Sequence, residues 1–328
     1  MLRLKNAMKI IVTGASGLVG HATVQVALKR GHDVVAFYHN RKPDVPPSVR
    51  LQQMDLTTIE GIVPILLHEF PDAIINAAAV SNPAAVDAQP DLAEKLNVAL
   101  PRRLAQVAHH LSGRLIHIST DMVFDGSQQQ PYSSTDTPHP LNLYGQMKLL
   151  AEREVLQHGG KSATVLRIAI VTGNSPSTTR SLHEKLLACL ANGEKPTLYT
   201  NEIRQPNSAD NVAAVLVELC ERSHLSGIFH WAGAEPISRY AMGLRILKRF
   251  GLPEDWITPA EDDNPKRPHH LTFNLEPLLS KLKTRPTFFA DQLEDARIPP
   301  VCQTWYANML NLSEATMPPP RLIKGRDF

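Results

Sequence analysis

Tyr144 and Lys148 stand four positions apart in LNLYGQMKLL, residues 141–150. On a helix that spacing puts both side chains on one face. A free phenol has a pKa of ~10, too high for efficient proton exchange near neutrality. A lysine cation beside it favours the phenolate and lowers that value. The pair then suits proton transfer to an oxygen on which negative charge develops. The alternative is a half-buried helix face, because Tyr-x-x-x-Lys arises often by chance. Met147 is a bulky apolar residue next to this pair. Upstream, RLIHIST (114–120) ends in two hydroxyls, Ser119 and Thr120.

These side chains need a scaffold, and the first forty residues supply its pattern. KIIVT (9–13) is a β-branched run of strand type. GASGLVG follows, then HATVQVALKRGH with apolar residues at helical spacing, then DVVAFYH (33–39) as a second strand. Strand, glycine turn, helix and strand within about 30 residues make a βαβ unit. Gly14, Gly17 and Gly20 are spaced GxxGxxG. In this context they give a tight turn, close approach of backbone to a pyrophosphate, and close helix–strand packing. The helix N-terminus adds free N–H groups and a positive dipole end. Ser16, Leu18 and Val19 lie between the glycines and join the expected cofactor wall.

An acidic residue about 20 positions on would bind the ribose 2′-OH of NAD. The sequence there reads Tyr38-His39-Asn40-Arg41-Lys42, with no carboxylate and two adjacent cations. An arginine can hold a 2′-phosphate by paired, charge-assisted hydrogen bonds. The expectation is NADP(H), with His39, Asn40 and Arg41 at its adenosine end. A solvated basic turn is the alternative. LQQMDL (51–56) reads as a third strand ending at Asp55, next to Leu56. Asp55 is placed either at the adenine amino group or at a helix N-cap. AIINAAA (73–79) reads as a strand running into Ala77, Ala78 and Ala79, small enough for a cofactor to lie close to the backbone.

The 328 residues are enough for one large or two small domains. A net charge of +2 gives no broad pull toward nucleic acid or membrane. No apolar run approaches the ~18 residues of a membrane span. The N-terminal apolar stretch is too short for a signal peptide, and residues 1–7 read as an extension before the first strand. Cys189, Cys220 and Cys302 are few and scattered, which argues against disulfides and zinc. The pairs His109–His110 and His269–His270 lack metal-ligand spacing, so no metal is expected. A reducing cytosol is the expected compartment.

Downstream, DLAEKLNVALPRRLAQVAHHL reads as a helix that Pro101 could kink, and ATVLRIAIV (163–171) as a strand. SADNVAAVLVELCER (208–222) reads as a helix capped near Ser208, and GIFHWAG (227–233) as a strand rejoining the first sheet. The fold class is therefore α/β: a Rossmann-type doubly wound parallel sheet with a smaller, interleaved C-terminal substrate lobe. The cofactor domain takes residues 8–171 and 208–235. The substrate lobe takes 172–207 and 236–300. A loop and then a helix are expected over 262–284, and a surface tail over 301–328. Arg204, Arg239 and Arg267 are candidates to bind a phosphate or carboxylate of the substrate.

The order TGASGLVG, NAAA, STDMVFDG, YGQMK resembles the extended short-chain dehydrogenase/reductase family. Within it the sequence is similar to the dTDP-4-dehydrorhamnose reductase branch, which also holds the regulatory β subunit of methionine adenosyltransferase. The resemblance covers roughly residues 8–300. It implies Thr120, Tyr144 and Lys148 as the catalytic hydroxyl, tyrosine and lysine, and Lys148 also as a ligand of the nicotinamide ribose. It places Arg267 near the nucleotide of the substrate, with Asp121 and Arg204 as further substrate-binding candidates, and implies a homodimer packed through the helices that carry Asn97 and Tyr144. Two departures stand out. Met147 replaces a small serine, and NEIRQPN (201–207) replaces a DQxGxPT-like segment. The implied activity is reduction of a keto group on a nucleotide-linked deoxysugar, with Tyr144 as proton donor. A regulatory cofactor-binding subunit and a sugar-nucleotide epimerase or dehydratase are the alternatives.

Overall fold

The computed structural model describes residues 7–310 and 321–323. Seven strands form one parallel sheet: β1 (Lys9–Thr13), β2 (Asp33–Tyr38), β3 (Arg50–Gln53), β4 (Ala73–Asn76), β5 (Arg114–Thr120), β6 (Ala163–Ile168) and β7 (Gly227–Trp231). Their spatial order is β7-β6-β5-β4-β1-β2-β3. The chain winds outward from β1 to β3, then returns to β4 on the other side of β1. The carboxyl ends of β1 and β4 therefore border the topological switch point, where doubly wound sheets bind ligands.

The strands are apolar on both faces because helices cover both. Ile10, Val12, Ile75, Ile116 and Leu166 pack on one side with Val24 and Ala27 of α1 (Leu18–Lys29). Ile11, Val35, Ile74, Leu115 and Val165 pack on the other. There they meet Leu66 of α2 (Ile59–Glu69), Leu104 of α3 (Leu100–His110) and Val155 of α4 (Leu143–Gly159). Neighbouring residues thus alternate between faces, the two-residue period of a strand. On the first face Ala22 meets Ala209 and Ala213 of α5 (Ala209–Glu221). Small residues at that contact let the two helices lie close.

A second core gathers Leu186, Leu187 and Leu190 with Met242, Ile246, Leu247, Phe250, Trp256, Phe289 and Leu293. Its chain segments are separated by the return to β7. The expected tail begins differently: Gln303–Leu310 is a helix, and Cys302 and Met309 are buried in this second core. The Tyr306 hydroxyl donates to the Phe250 carbonyl at 2.8 Å. Arg321–Ile323 pairs in parallel with Glu194–Pro196. The remainder of the expected tail, 311–320 and 324–328, lies outside the described residues, as do residues 1–6 at the other end.

Three local expectations are corrected. β3 stops at Gln53, before Asp55, because the Asp55 carboxylate folds onto the Thr57 N–H and hydroxyl at 2.9 and 2.8 Å. No helix forms over 262–284 beyond one turn at Leu279–Lys281. Arg285 takes the carbonyls of Leu279 and Leu282, and the Glu218 carboxylate takes the N–H groups of Lys283 and Thr284. The long helix before β5 is interrupted by a π-turn at Lys95–Ala99. Pro101 has no N–H to donate to the carbonyl of Asn97, and the turn widens there. Asn97 is buried, and its side chain accepts from the Val80 N–H at 2.9 Å and donates to the Val80 carbonyl at 3.0 Å.

That bracket fixes the backbone just after Ala77–Ala79. Asn97→Ala leaves the Val80 amide without its partner and is expected to lower unfolding stability by about 1–3 kcal/mol. Urea denaturation measures it; a loss below a few tenths shows that Asn97 does not hold this loop.

Candidate active site

A cleft of about 1240 Å³ opens along the carboxyl edge of the sheet. Its floor at the switch point is made by absent side chains. Gly14 has φ +66, and a Cβ on it would lie 2.7 Å from the Ala77 carbonyl oxygen. A Cβ on Gly20 would lie 2.2 Å from the Gly14 carbonyl oxygen. So β1, α1 and the loop after β4 close to backbone contact. Gly17 caps α1 without a side-chain hydrogen bond, which leaves the first N–H groups of the helix facing the cleft. A cradle of bare backbone at a helix start fits a pyrophosphate.

Gly14, Ser16, Gly17, Leu18, Val19 and Gly20 line this cleft, with Ala77, Ala78 and Ala79 opposite. His39, Asn40, Asp55 and Leu56 line its outer end. Arg41 does not: it is exposed, and its guanidinium donates to the Pro176 carbonyl. Ser119, Thr120, Asp121, Tyr144 and Lys148 line the inner end, and Arg204, Arg239 and Arg267 the far wall. Met147 is not among the lining residues. It packs with Val86 and Ala93, behind Tyr144.

Helix α4 aims the tyrosine and lysine. Asn142 caps it, accepting from the Gly145 N–H at 2.9 Å. Gly145 lets the first turn press on the 121–123 turn; a Cβ there would lie 2.2 Å from the Met122 carbonyl oxygen. The buried face then reads Tyr144, Lys148, Glu152, one residue per helical turn. Burial pushes the Tyr144 phenol up to about 12, with the Thr120 hydroxyl opposing and the Asp121 carboxylate adding to the rise. Burial pushes Lys148 down to about 8, with Glu152 opposing. The phenol is therefore carried up by loss of solvent, opposite to the expected lowering.

Beneath the site lies a buried polar layer that sequence reading did not single out. The Lys148 Nζ donates to the Ile118 carbonyl at 2.6 Å and lies 3.1 Å from His117 Nε2. His117 Nδ1 is 3.1 Å from Asn76 Nδ2, and Asn76 Oδ1 accepts from the Thr13 hydroxyl at 2.6 Å. Glu152 pairs with Arg167 through two bonds of 2.9 and 2.6 Å and accepts from Ser119 at 2.5 Å. Arg167 lies over the Phe124 ring, 5.1 Å from its centre. The signal for Glu152 was the same i, i+4 step that linked Tyr144 to Lys148. Asn76, His117 and Thr13 had no such signal, because they sit on different strands.

On the far wall one carboxylate gathers the arginines. Glu202 Oε1 lies 2.9 Å from Arg239 Nε and 3.1 Å from Arg204, and Oε2 lies 3.2 Å from Arg267. Arg204 also donates to the carbonyls of Ile203, Pro268 and His269. Its side chain is buried and its donors are engaged by protein, so it shapes the wall. Arg267 reaches Asp262 at 3.0 Å and stacks over Tyr199. Arg239 and Arg267 are partly exposed to the cleft, with Lys266 beside them. Burial alone would raise the Glu202 carboxyl; Arg239, Arg204 and Arg267 carry it down to about 2.

The chain was compared with known proteins. A family model described as the RmlD substrate binding domain matches residues 8–296. Methionine adenosyltransferase 2 subunit beta of Xenopus laevis is 33% identical over 264 residues, 78% of this chain and 76% of that one. A probable low-salt glycan biosynthesis reductase, Agl14, of Haloferax volcanii is 33% identical over 248 residues, 74% of this chain and 81% of that one. Among solved structures, a hypothetical dTDP-4-dehydrorhamnose reductase from Sulfolobus tokodaii is 27% identical with TM-score 0.74, covering 86% of this chain and 97% of its own. The dTDP-4-dehydrorhamnose reductase of Bacillus anthracis, in complex with NADP, has TM-score 0.76 at 20% identity, covering 89% and 98%. Among the described residues no helix is long and apolar enough to cross a membrane.

The Glu202 cluster carries a pH signature. Its folded carboxyl lies at about 2 against an ordinary 4.5, so its contribution to stability is full above 4.5 and lost as pH falls toward 2. Glu202→Gln removes that titration. In urea melts the gap between wild type and variant is expected to narrow over that window; a constant gap refutes the pairing.

Proposed function

The chain belongs to the RmlD substrate binding domain family, and on that footing we propose that it is an NADP(H)-dependent reductase of a keto group on a nucleotide-linked sugar. One observation carries the reading. Thr120, Tyr144 and Lys148 converge on the inner end of the same cleft whose floor is the glycine cradle. A dinucleotide laid on the cradle would thus lead to a buried phenol and a hydroxyl that stand together.

The nicotinamide, when bound, supplies the hydride. The chain supplies the rest. Backbone N–H groups at the start of α1 receive the pyrophosphate. Thr120 orients the carbonyl oxygen of the substrate, and Tyr144 delivers a proton to it as negative charge develops. A phenol held at about 12 keeps its proton across the neutral range, so Tyr144 enters the reaction as the protonated partner. The far wall sets a cationic edge of Arg239, Lys266 and Arg267 toward the cleft, suited to the phosphates of a nucleotide sugar.

The preference for the 2′-phosphate rests on the end of β2, where His39 and Asn40 face the cleft without a carboxylate. Arg41, beside them, would exchange its bond to the Pro176 carbonyl for the phosphate. The NADP named in the Bacillus anthracis structure belongs to a protein of the same fold and is in keeping with this choice.

A second reading has its own support: the vertebrate relatives at 32–33% identity are β subunits of methionine adenosyltransferase 2. In that case the cofactor site would serve a regulatory subunit. Co-purification with a synthetase, joined to absence of turnover, would select it.

The test is NADPH oxidation against a panel of keto-sugar nucleotides. Tyr144→Phe is expected to slow turnover by on the order of 10²–10⁴-fold while NADPH affinity changes little. An equally fast variant removes Tyr144 from the chemistry. Equal affinity for NADPH and NADH by titration removes the 2′-phosphate preference.

A further inference from the structure

Four fully buried polar side chains run in a row beneath the cleft. Thr13, Asn76 and His117 occupy one register across β1, β4 and β5, with Thr13 opposite Asn76 and Asn76 opposite His117. Lys148 closes the row from α4. In such a row the direction of each hydrogen bond constrains the next.

The Ala78 N–H donates to Thr13 Oγ at 3.3 Å. The hydroxyl hydrogen of Thr13 must therefore go elsewhere, and the atom at 2.6 Å is Asn76 Oδ1. With the amide turned around, two N–H groups would face the Thr13 oxygen and its own hydrogen would have no acceptor. Among the described residues Thr13 Oγ makes no other side-chain hydrogen bond. Asn76 thus presents its oxygen to Thr13 and its NH₂ to His117, so His117 Nδ1 is the acceptor at 3.1 Å. A neutral imidazole then carries its hydrogen on Nε2. That N–H points at Lys148 Nζ, 3.1 Å away. An ammonium has no lone pair to receive it; an amine has one, and still donates to the Ile118 carbonyl at 2.6 Å.

We propose that the row Thr13–Asn76–His117 favours the uncharged amine of Lys148 in the cofactor-free protein, so that this lysine gives up its proton at a lower pH than exposed lysines do. Burial favours the amine, and Glu152 is the neighbour that favours the ammonium. On its own helix it faces Tyr144 and Glu152. From β5 it meets His117, with Ser119 bonded to Glu152. The Glu152 carboxylate is already neutralised by Arg167 of β6, which His230 of β7 approaches at 3.4 Å. Asp121 acts on Tyr144. Burial pushes His117 well below the ordinary histidine range, so the imidazole is not the cation either.

For Lys148 to take a proton, His117 must move its hydrogen to Nδ1 and Asn76 must turn over. The charge state of the lysine on α4 is thereby tied to a hydroxyl at the end of β1. Thr13 and His117 are positioning residues for Lys148. The inference concerns the cofactor-free chain and holds whether or not the protein is a reductase, since its test needs no turnover.

The experiment is competitive labelling of the full chain with acetic anhydride across pH, read lysine by lysine by mass spectrometry. Lys148 is expected to titrate near 8, against ~10.4 for exposed lysines. Thr13→Val removes the hydroxyl hydrogen that orients Asn76, and is expected to raise the Lys148 titration by at least one pH unit. Thr13→Ser keeps the hydroxyl and should match wild type. Lys148 titrating with the exposed lysines, or Thr13→Val leaving it in place, overturns the proposal. A readout independent of reagent access is the urea midpoint of wild type against Lys148→Met. A native amine that binds protons more weakly than the unfolded one gains stability as pH rises from about 8 to 10. A flat difference over that range overturns the proposal as well.

Discussion

The closeness of β1 to the loop after β4 is the constraint on which the rest depends. It exists because Gly14 lacks a Cβ that would otherwise collide with the Ala77 carbonyl. With the two strand ends in contact, Thr13 and Asn76 come level, and His117 follows on the next strand. The same closeness brings the Ala78 N–H onto Thr13. Cofactor cradle and lysine environment are therefore one construction, made where the chain reverses its winding direction.

Above that floor the site is built by withdrawing groups from water. Charges that go under are matched: Glu152 by Arg167, Glu202 by Arg204, Arg239 and Arg267. For Glu202 the matching keeps the carboxylate ionised where burial alone would favour its protonated form. Tyr144 and Lys148 have no full partner of opposite charge, and both move toward their neutral forms. Ion pairs hold the walls, and Tyr144 and Lys148 stand between them, both shifted toward their neutral forms.

Much of this was legible in the residues. The strand–glycine–helix–strand order located the cradle, and the step from Tyr144 to Lys148 named the helix face. What spacing along one chain cannot carry is a relation between strands. Asn76 read only as the first residue of NAAA and His117 as an ordinary member of an apolar run, and only the strand order sets them side by side. Arg204 read as a ligand for anions because its type suggested it. In the cleft wall it is held by three backbone carbonyls, Glu202 and Asp121, which no local pattern announces. Pro101 did mark a disturbance in its helix, although the outcome was a widened turn whose Asn97 fastens the cleft loop.

The second core takes its residues from three stretches, near 182–198, 237–257 and 289–309, split by the excursion to β7. Chain emerging from a ribosome delivers these in that order. The sheet from β1 to β6 can pair as it appears, since each strand joins one already present or soon to follow. The far wall has no such luxury: Leu186 and Leu187 wait for Met242 and Ile246, and all wait for Phe289 and Leu293. Contacts of such long separation form slowly. During synthesis the strands and glycine turn that form the cradle precede the segments that close the far wall.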